Sequence, residues 1–176
     1  MTKKEFFNII SNEHEDLLQK FLNLLIKLDI EYCVIGGLAV NSYVEPLVSL
    51  DLDVVIIANA IDTLKKETVK IFKIEEFHHS LNLSNPKTDL RIQIQTDVRY
   101  QSFIPRSLPK EVMGYKMKVA SIEDVLQGKI WAYCDNERRK SKRQKDLADI
   151  FRLIENFPDL KILLPETIKN LLIHEK

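Results

Sequence analysis

The chain is poor in cysteine and glycine, has no net charge and lacks any long apolar run, and each shortage removes a class of protein. Cys33 and Cys134 are its two cysteines, far apart in sequence. That is too few and too separated for a disulfide framework or a zinc cluster. Cys33 lies in an apolar stretch and reads as a buried thiol. Lys plus Arg and Asp plus Glu both number 26, so no overall field draws the protein to nucleic acid or a membrane, and any such binding needs a local patch. No apolar run reaches the roughly 20 residues of a membrane-spanning helix. Residues 1–10 lack the apolar centre of a secretory leader, so the expected location is the cytoplasm. Only four glycines occur in 176 residues, and two of them, Gly36 and Gly37, are adjacent.

What is present is an ordinary globular balance, 45% hydrophobic and 30% charged, in a length that suits one domain with a sizeable core. Residues 1–12 are a lead-in with room for a short helix. Leu17, Leu18, Phe21, Leu22, Leu25 and Leu28 follow helical spacing, with Glu13, Glu15 and Asp16 in the first turn, where the helix dipole favours acids. Tyr32 to Ile35 reads as a strand, Ala39 to Val44 as a short helix stopped by Pro46, and Asp51 to Ile57 as a second strand buried on both faces. A helix over 60–72 precedes one or two extended pieces that carry His78 and His79. Leu90, Ile92 and Ile94 alternate with Arg91, Gln93 and Gln95 in a third clear strand, with Asp89 at its head on the polar side. Residues 111–119 read as a hairpin turning near Gly114. Ser121 then caps a helix, a basic run fills 138–145, and a helix over 146–157 follows. The segment 160–175 reads as a turn and one last short helix.

The informative constellation is Gly36-Gly37, thirteen residues, then Asp51-Leu52-Asp53, and later Asp89. Side chains alternate along a strand, so Asp51 and Asp53 share a face. Two carboxylates that close repel unless a cation sits between them. Phosphoryl transfer uses such parts: backbone N–H groups at a glycine turn that opens a helix take a phosphate, and shared carboxylates hold a pair of divalent ions. A third carboxylate, for which Asp89 is the candidate, completes a metal shell and helps deprotonate the attacking hydroxyl. Oxygen donors of this kind suit Mg2+ or Mn2+ rather than zinc. The blander alternatives are a solvated acidic rim, a plain tight turn at the glycines and a turn cap at Asp89.

These residues resemble the nucleotidyltransferase superfamily with the DNA polymerase beta-like fold, in particular its branch of AbiEii-like toxins and related small bacterial nucleotidyltransferases. The resemblance rests on Val34-Ile35-Gly36-Gly37-Leu38-Ala39-Val40, on Asp51-Leu52-Asp53 and on Asp89 at a strand start. It extends to Val119 through Val125 with Lys129, and to Arg143-Gln144-Lys145-Asp146-Leu147-Ala148-Asp149. It implies an α+β fold, a mixed sheet flanked by helices, with residues 1–120 as the nucleotidyltransferase core and 121–176 as a small C-terminal helical part packed on it in one compact unit. It further implies that Gly36 and Gly37 line an NTP, that Asp51, Asp53 and Asp89 hold the metals, and that Lys129 and Lys145 neutralise phosphate charge. The implied reaction moves an NMP to an acceptor hydroxyl on tRNA or a protein, in a toxin that has a cognate antitoxin. Two departures stand out: Leu47 lies where members often carry Arg, and Gly-Gly replaces the Gly-Ser of many members.

Two other functions use the same residues. One is a module of the same fold that binds nucleotide without turning it over, to which Leu47 points. The other is a metal-dependent phosphodiesterase with water as nucleophile. Asp146 and Asp149 also read as acids favoured by the start of their helix, Lys129 and Lys145 as surface lysines, and the basic run as a solvated face.

Overall fold

The protein is described here by a computed structural model covering residues 1–12 and 15–173. Glu13, and the part of the last expected helix beyond residue 173, lie outside the described residues. The chain divides into two compact units, Met1–Ser121 and Ile122–Lys176.

The first unit is built on a seven-stranded sheet. Its strands are β1 (Tyr32–Ile35), β2 (Asp51–Ile56), β3 (Lys73–Phe77), β4 (Ser80–Ser84), β5 (Arg91–Gln95), β6 (Leu108–Val112) and β7 (Tyr115–Val119), in the spatial order β3-β4-β5-β2-β1-β7-β6. The β2–β5 and β1–β7 pairs are parallel and the other four pairs antiparallel.

The register sorts the side chains into two faces. Leu81, Ile94, Val54 and Val34 stand in one row across four strands, with Leu83, Ile92 and Leu52 in the next. All seven are buried, and burial of such a side chain stabilises by about 1.5–3 kcal/mol. The opposite face carries Asn82, Gln93 and Asp53 in one row, and Arg91 beside Asp51 in another. A slip of one residue between β2 and β5 would exchange the faces and put the acids in the core. The apolar row therefore fixes where the acids point.

The helices of this unit are α1 (Lys3–Ile10), α2 (Leu17–Lys27), α3 (Gly36–Val40) and α4 (Ile61–Thr68). The lead-in is a full helix because Thr2 and Glu5 form a capping box, with Glu5 N donating to Thr2 Oγ1 at 3.1 Å and Thr2 N to Glu5 Oε2 at 2.7 Å. Its Phe7 packs edge-on against Tyr115, ring centroids 5.8 Å apart. Helix α2 is capped by the Asp16 side chain and buries the periodic leucines. Helix α3 opens at Gly36, three residues before the expected start, so the glycines form the first turn of the helix itself. The extended pieces after α4 are the β3–β4 hairpin, with His78 and His79 at its tip, their ring nitrogens 2.7 Å apart.

The second unit contains α5 (Ile122–Cys134), α6 (Lys140–Asn156) and α7 (Glu166–Ile173). Helix α6 starts six residues before the Asp146 expected from sequence, so most of the basic run is helical. Lys, Arg and Gln are good helix formers, and Arg143 Nε donates to Tyr133 O at 2.6 Å, which ties the early turns of α6 to the end of α5. No helix among the described residues is long and apolar enough to cross a membrane.

Candidate active site

The site grows out of the β1–α3–β2 connection. Strand β1 ends at Ile35, whose register partner on β2 is Asp53. The chain then turns into α3 through Gly36 at φ +69°. That backbone region disfavours any residue with a Cβ. Space excludes one as well, since a Cβ at position 36 would lie 2.9 Å from Asp53 Cβ and 2.8 Å from its Cγ. The Asp53 carboxylate thus rests directly against the main chain at the start of α3. Gly37 is looser: a Cβ there would meet Ser49 Oγ at 3.3 Å, and its φ is not positive.

The loop that returns to β2 is held by one side chain. Asn41 Nδ2 donates to Leu47 O at 2.6 Å, and Leu47 N donates to Asn41 Oδ1 at 3.0 Å. Both polar groups of the Leu47 peptide are thereby satisfied, while the Leu47 and Val48 side chains stand 56% and 61% exposed. Ser49 is buried and closes the loop against Gly37.

Asp51 and Asp53 then emerge on the polar face of β2, both half-buried. The parallel ladder sets Arg91 opposite Asp51 and Gln93 opposite Asp53. Arg91 Nε lies 2.9 Å from Asp51 Oδ1. Sequence reasoning placed Arg91 on the polar side of its strand and gave it no role. Its link to Asp51 depends on a register between strands 40 positions apart, which local periodicity does not contain.

Asp89 lies in the turn that leads into β5. Its amide donates to Ser11 O at 2.7 Å, and Thr88 Oγ1 both donates to Ser11 O at 2.9 Å and accepts from Leu90 N at 3.0 Å. These bonds fix a turn whose Asp89 side chain is exposed. Among the described residues no three of His, Cys, Asp or Glu gather as a metal-ligand group. In the register the place beside Asp51 belongs to Arg91, and Asp89 lies two residues before it.

The pair Asp51 and Asp53 nonetheless fits a hard divalent ion. Mg2+ is commonly held by one or two carboxylates and completes its shell with phosphate and water. The absence of a Cβ at Gly36 lets the Asp53 carboxylate sit against the main chain, and the β5 register partners, Arg91 and Gln93, offer neither thiol nor imidazole.

In the helical unit, Lys129 is buried between two acids of α6. Its Nζ lies 2.9 Å from Asp146 Oδ1 and 2.7 Å from Asp149 Oδ2, the latter without the alignment of a hydrogen bond. Arg138 Nε bonds the other oxygen of Asp146 at 2.7 Å, and Arg152 bonds that of Asp149 at 2.7 Å. Burial by itself lowers the Lys129 pKa, but the Asp149 and Asp146 carboxylates outweigh it and hold the ammonium above its ordinary value. Asp146 and Asp149 are therefore not dipole-favoured surface acids: the early start of α6 places them in its body, where they are buried partners of Lys129. Lys145 is exposed on the same helix.

Residues 36–176 match the family model described as the nucleotidyl transferase AbiEii toxin of type IV toxin–antitoxin systems. The chain belongs to the AbiEii nucleotidyltransferase family. Comparison with curated proteins returns no match. Among solved structures, the chain shares its fold with the lincosamide antibiotic adenylyltransferase LnuA, bound to lincomycin, at 14% identity and a TM-score of 0.55, covering 79% of this chain and 97% of that one. The antibiotic-resistance factor ANT(2'')-Ia in complex with adenylyl-2''-tobramycin aligns at 12% identity and a TM-score of 0.66, over 84% of this chain and 92% of that one. A nucleotidyltransferase-like protein of Paracoccidioides brasiliensis aligns at 22% identity and a TM-score of 0.50, over 88% and 78%. At these identities the likeness is one of fold, and it agrees with the mixed sheet and flanking helices of this AbiEii member.

Proposed function

We propose that this AbiEii protein transfers a nucleoside monophosphate from an NTP to an acceptor hydroxyl on tRNA or on a protein, with Mg2+ or Mn2+ at Asp51 and Asp53. The observation that carries the reading is the seating of the Asp53 carboxylate against the Gly36 backbone, two strand positions from Asp51 and so on the same face. Gly36 and Gly37, against which the Asp53 and Ser49 side chains rest, are assigned to line the NTP where α3 begins. In the reaction the acceptor oxygen bonds to the α-phosphorus, the bond from that phosphorus to the bridging oxygen breaks, and pyrophosphate leaves with the electron pair. A divalent ion held by the two acids supplies charge neutralisation for the phosphate oxygens. Asp89, exposed in its turn, is assigned an auxiliary part in accepting the proton of the acceptor hydroxyl. Lys145 is assigned to phosphate charge. Lys129, whose charge is taken up by Asp146 and Asp149, holds those two acids in place within the helical unit. The biological setting assigned is a cytoplasmic toxin restrained by a cognate antitoxin.

The test is incubation of the protein with each α-labelled NTP, Mg2+, and either total tRNA or a protein extract. Label should appear in one acceptor pool and fall by about a hundredfold or more in Asp51→Asn and Asp53→Asn, the scale of losing a main electrostatic contact in a transition state. Asp89→Asn should lose less. Undiminished transfer in the Asp51 and Asp53 variants would remove their assigned roles. Nucleotide binding with no transfer to either pool would favour a binding module.

A further inference from the structure

We propose that Arg91 is a phosphate-binding residue of the acidic site, held by Asp51 until a divalent ion takes that carboxylate and then free to grip the triphosphate. This rests on the function proposed above and assigns a residue that the motif pattern leaves out. The parallel β2–β5 register sets Arg91 directly opposite Asp51, and its Nε lies 2.9 Å from Asp51 Oδ1. The Arg91 side chain is 68% exposed while that of Asp51 is 28% exposed, so the guanidinium lies on the solvent side of the carboxylate, where an incoming polyphosphate arrives first. The contact with Asp51 is made through Nε. The planar fork has further N–H donors, whose geometry matches phosphate oxygens.

The charges favour an exchange. Across the β2–β5 ladder Asp51 faces the cationic Arg91 and Asp53 faces the neutral Gln93. A divalent ion at the pair would cancel both carboxylates and leave the arginine without a counter-charge. A triphosphate bound to that ion supplies one within reach of a long, exposed side chain. An exposed ion pair stabilises little, so the guanidinium is readily released. The same exchange distinguishes this role from plain neutralisation of Asp51. A residue that only steadies Asp51 aids metal and nucleotide alike, whereas Arg91 competes with the metal and assists the nucleotide.

The experiment measures two equilibria on full-length protein: Mn2+ alone, by the electron paramagnetic resonance of the free ion, and the α,β-methylene analogues of ATP, GTP, CTP and UTP with saturating Mn2+. Arg91→Gln should bind Mn2+ alone as tightly as wild type or up to about fivefold more tightly, the scale of releasing an exposed ion pair. It should bind the preferred analogue about tenfold or more weakly, as expected for loss of a charge-assisted contact. Arg91→Lys should fall between, since it keeps charge and loses the fork. An unchanged analogue affinity in Arg91→Gln overturns the assignment, and so does a parallel fall of both affinities. Wild type that binds both probes while Arg91→Gln matches it sinks Arg91 alone. Wild type that binds neither probe sinks the proposed function and Arg91 with it.

Discussion

The two adjacent glycines give a sharp contrast. Gly36→Ala introduces a Cβ at φ +69°, where an L-residue is disfavoured by about 1–2 kcal/mol. The same Cβ would stand 2.8 Å from Asp53 Cγ and 2.9 Å from Asp53 Cβ. Relief requires the strand-borne Asp53 or the start of α3 to move, an overpacking strain of about 1–3 kcal/mol. Together these give a destabilisation of about 2–5 kcal/mol. Gly37→Ala meets Ser49 Oγ at 3.3 Å, with φ outside the positive range. There a small steric penalty opposes a gain of about 0.5–1 kcal/mol from replacing a helical glycine, so the net change should lie within about 1 kcal/mol of zero. Urea unfolding followed by circular dichroism reads both variants, with equal slopes required before midpoints are compared. Gly36→Ala should also weaken Mn2+ binding, because Asp53 is the atom group displaced, while Gly37→Ala should leave it unchanged. If Gly36→Ala unfolds at the same urea concentration as Gly37→Ala, the close seating of Asp53 on the main chain is wrong.

Two further tests address the parts that hold the rest in place. Lys129→Met leaves Asp146 and Asp149 buried with one arginine each, and should destabilise by about 3 kcal/mol, the low end for breaking a buried ion pair. Because the Lys129 pKa is raised by folding, its contribution is complete below the ordinary lysine pKa and is lost only as pH climbs through the higher folded value. The stability gap between wild type and Lys129→Met should therefore stay flat across neutral and mildly alkaline pH. A gap that shrinks between neutral and mildly alkaline conditions would contradict the paired ammonium. Asn41→Ala removes both hydrogen bonds to the Leu47 peptide and should cost about 1–2 kcal/mol. Hydrogen exchange should show faster exchange of the Leu47 amide, and unaltered protection there would rule out the clamp.

Much of the site was legible before any coordinates. Strand β1, the acid-bearing β2 and the alternating β5 each announce themselves by local pattern, and the rarity of glycine singles out Gly36 and Gly37. Same-face placement of Asp51 and Asp53 needs only the two-residue repeat of a strand. The capping box at Thr2 and Glu5 is equally local, and the short helix it opens lies within the expected lead-in. Helix α6 was cut short for a different reason: Arg143 anchors its early turns on Tyr133, a contact that charge patterning does not reveal.

Periodicity and residue chemistry in the sequence alone determined which acids share a face and that a turn at Gly36 precedes them, because both follow from neighbours in the chain. Only the tertiary structure decided what stands next to those acids. The parallel pairing of β2 with β5 put Arg91 beside Asp51 and left Asp89 in a turn tied to Ser11. The folding of α5 against α6 turned Lys129, Asp146 and Asp149 from apparent surface charges into a buried ion network. Register and helix packing join positions far apart in the chain and are chosen by the whole core, so no local spacing contains them.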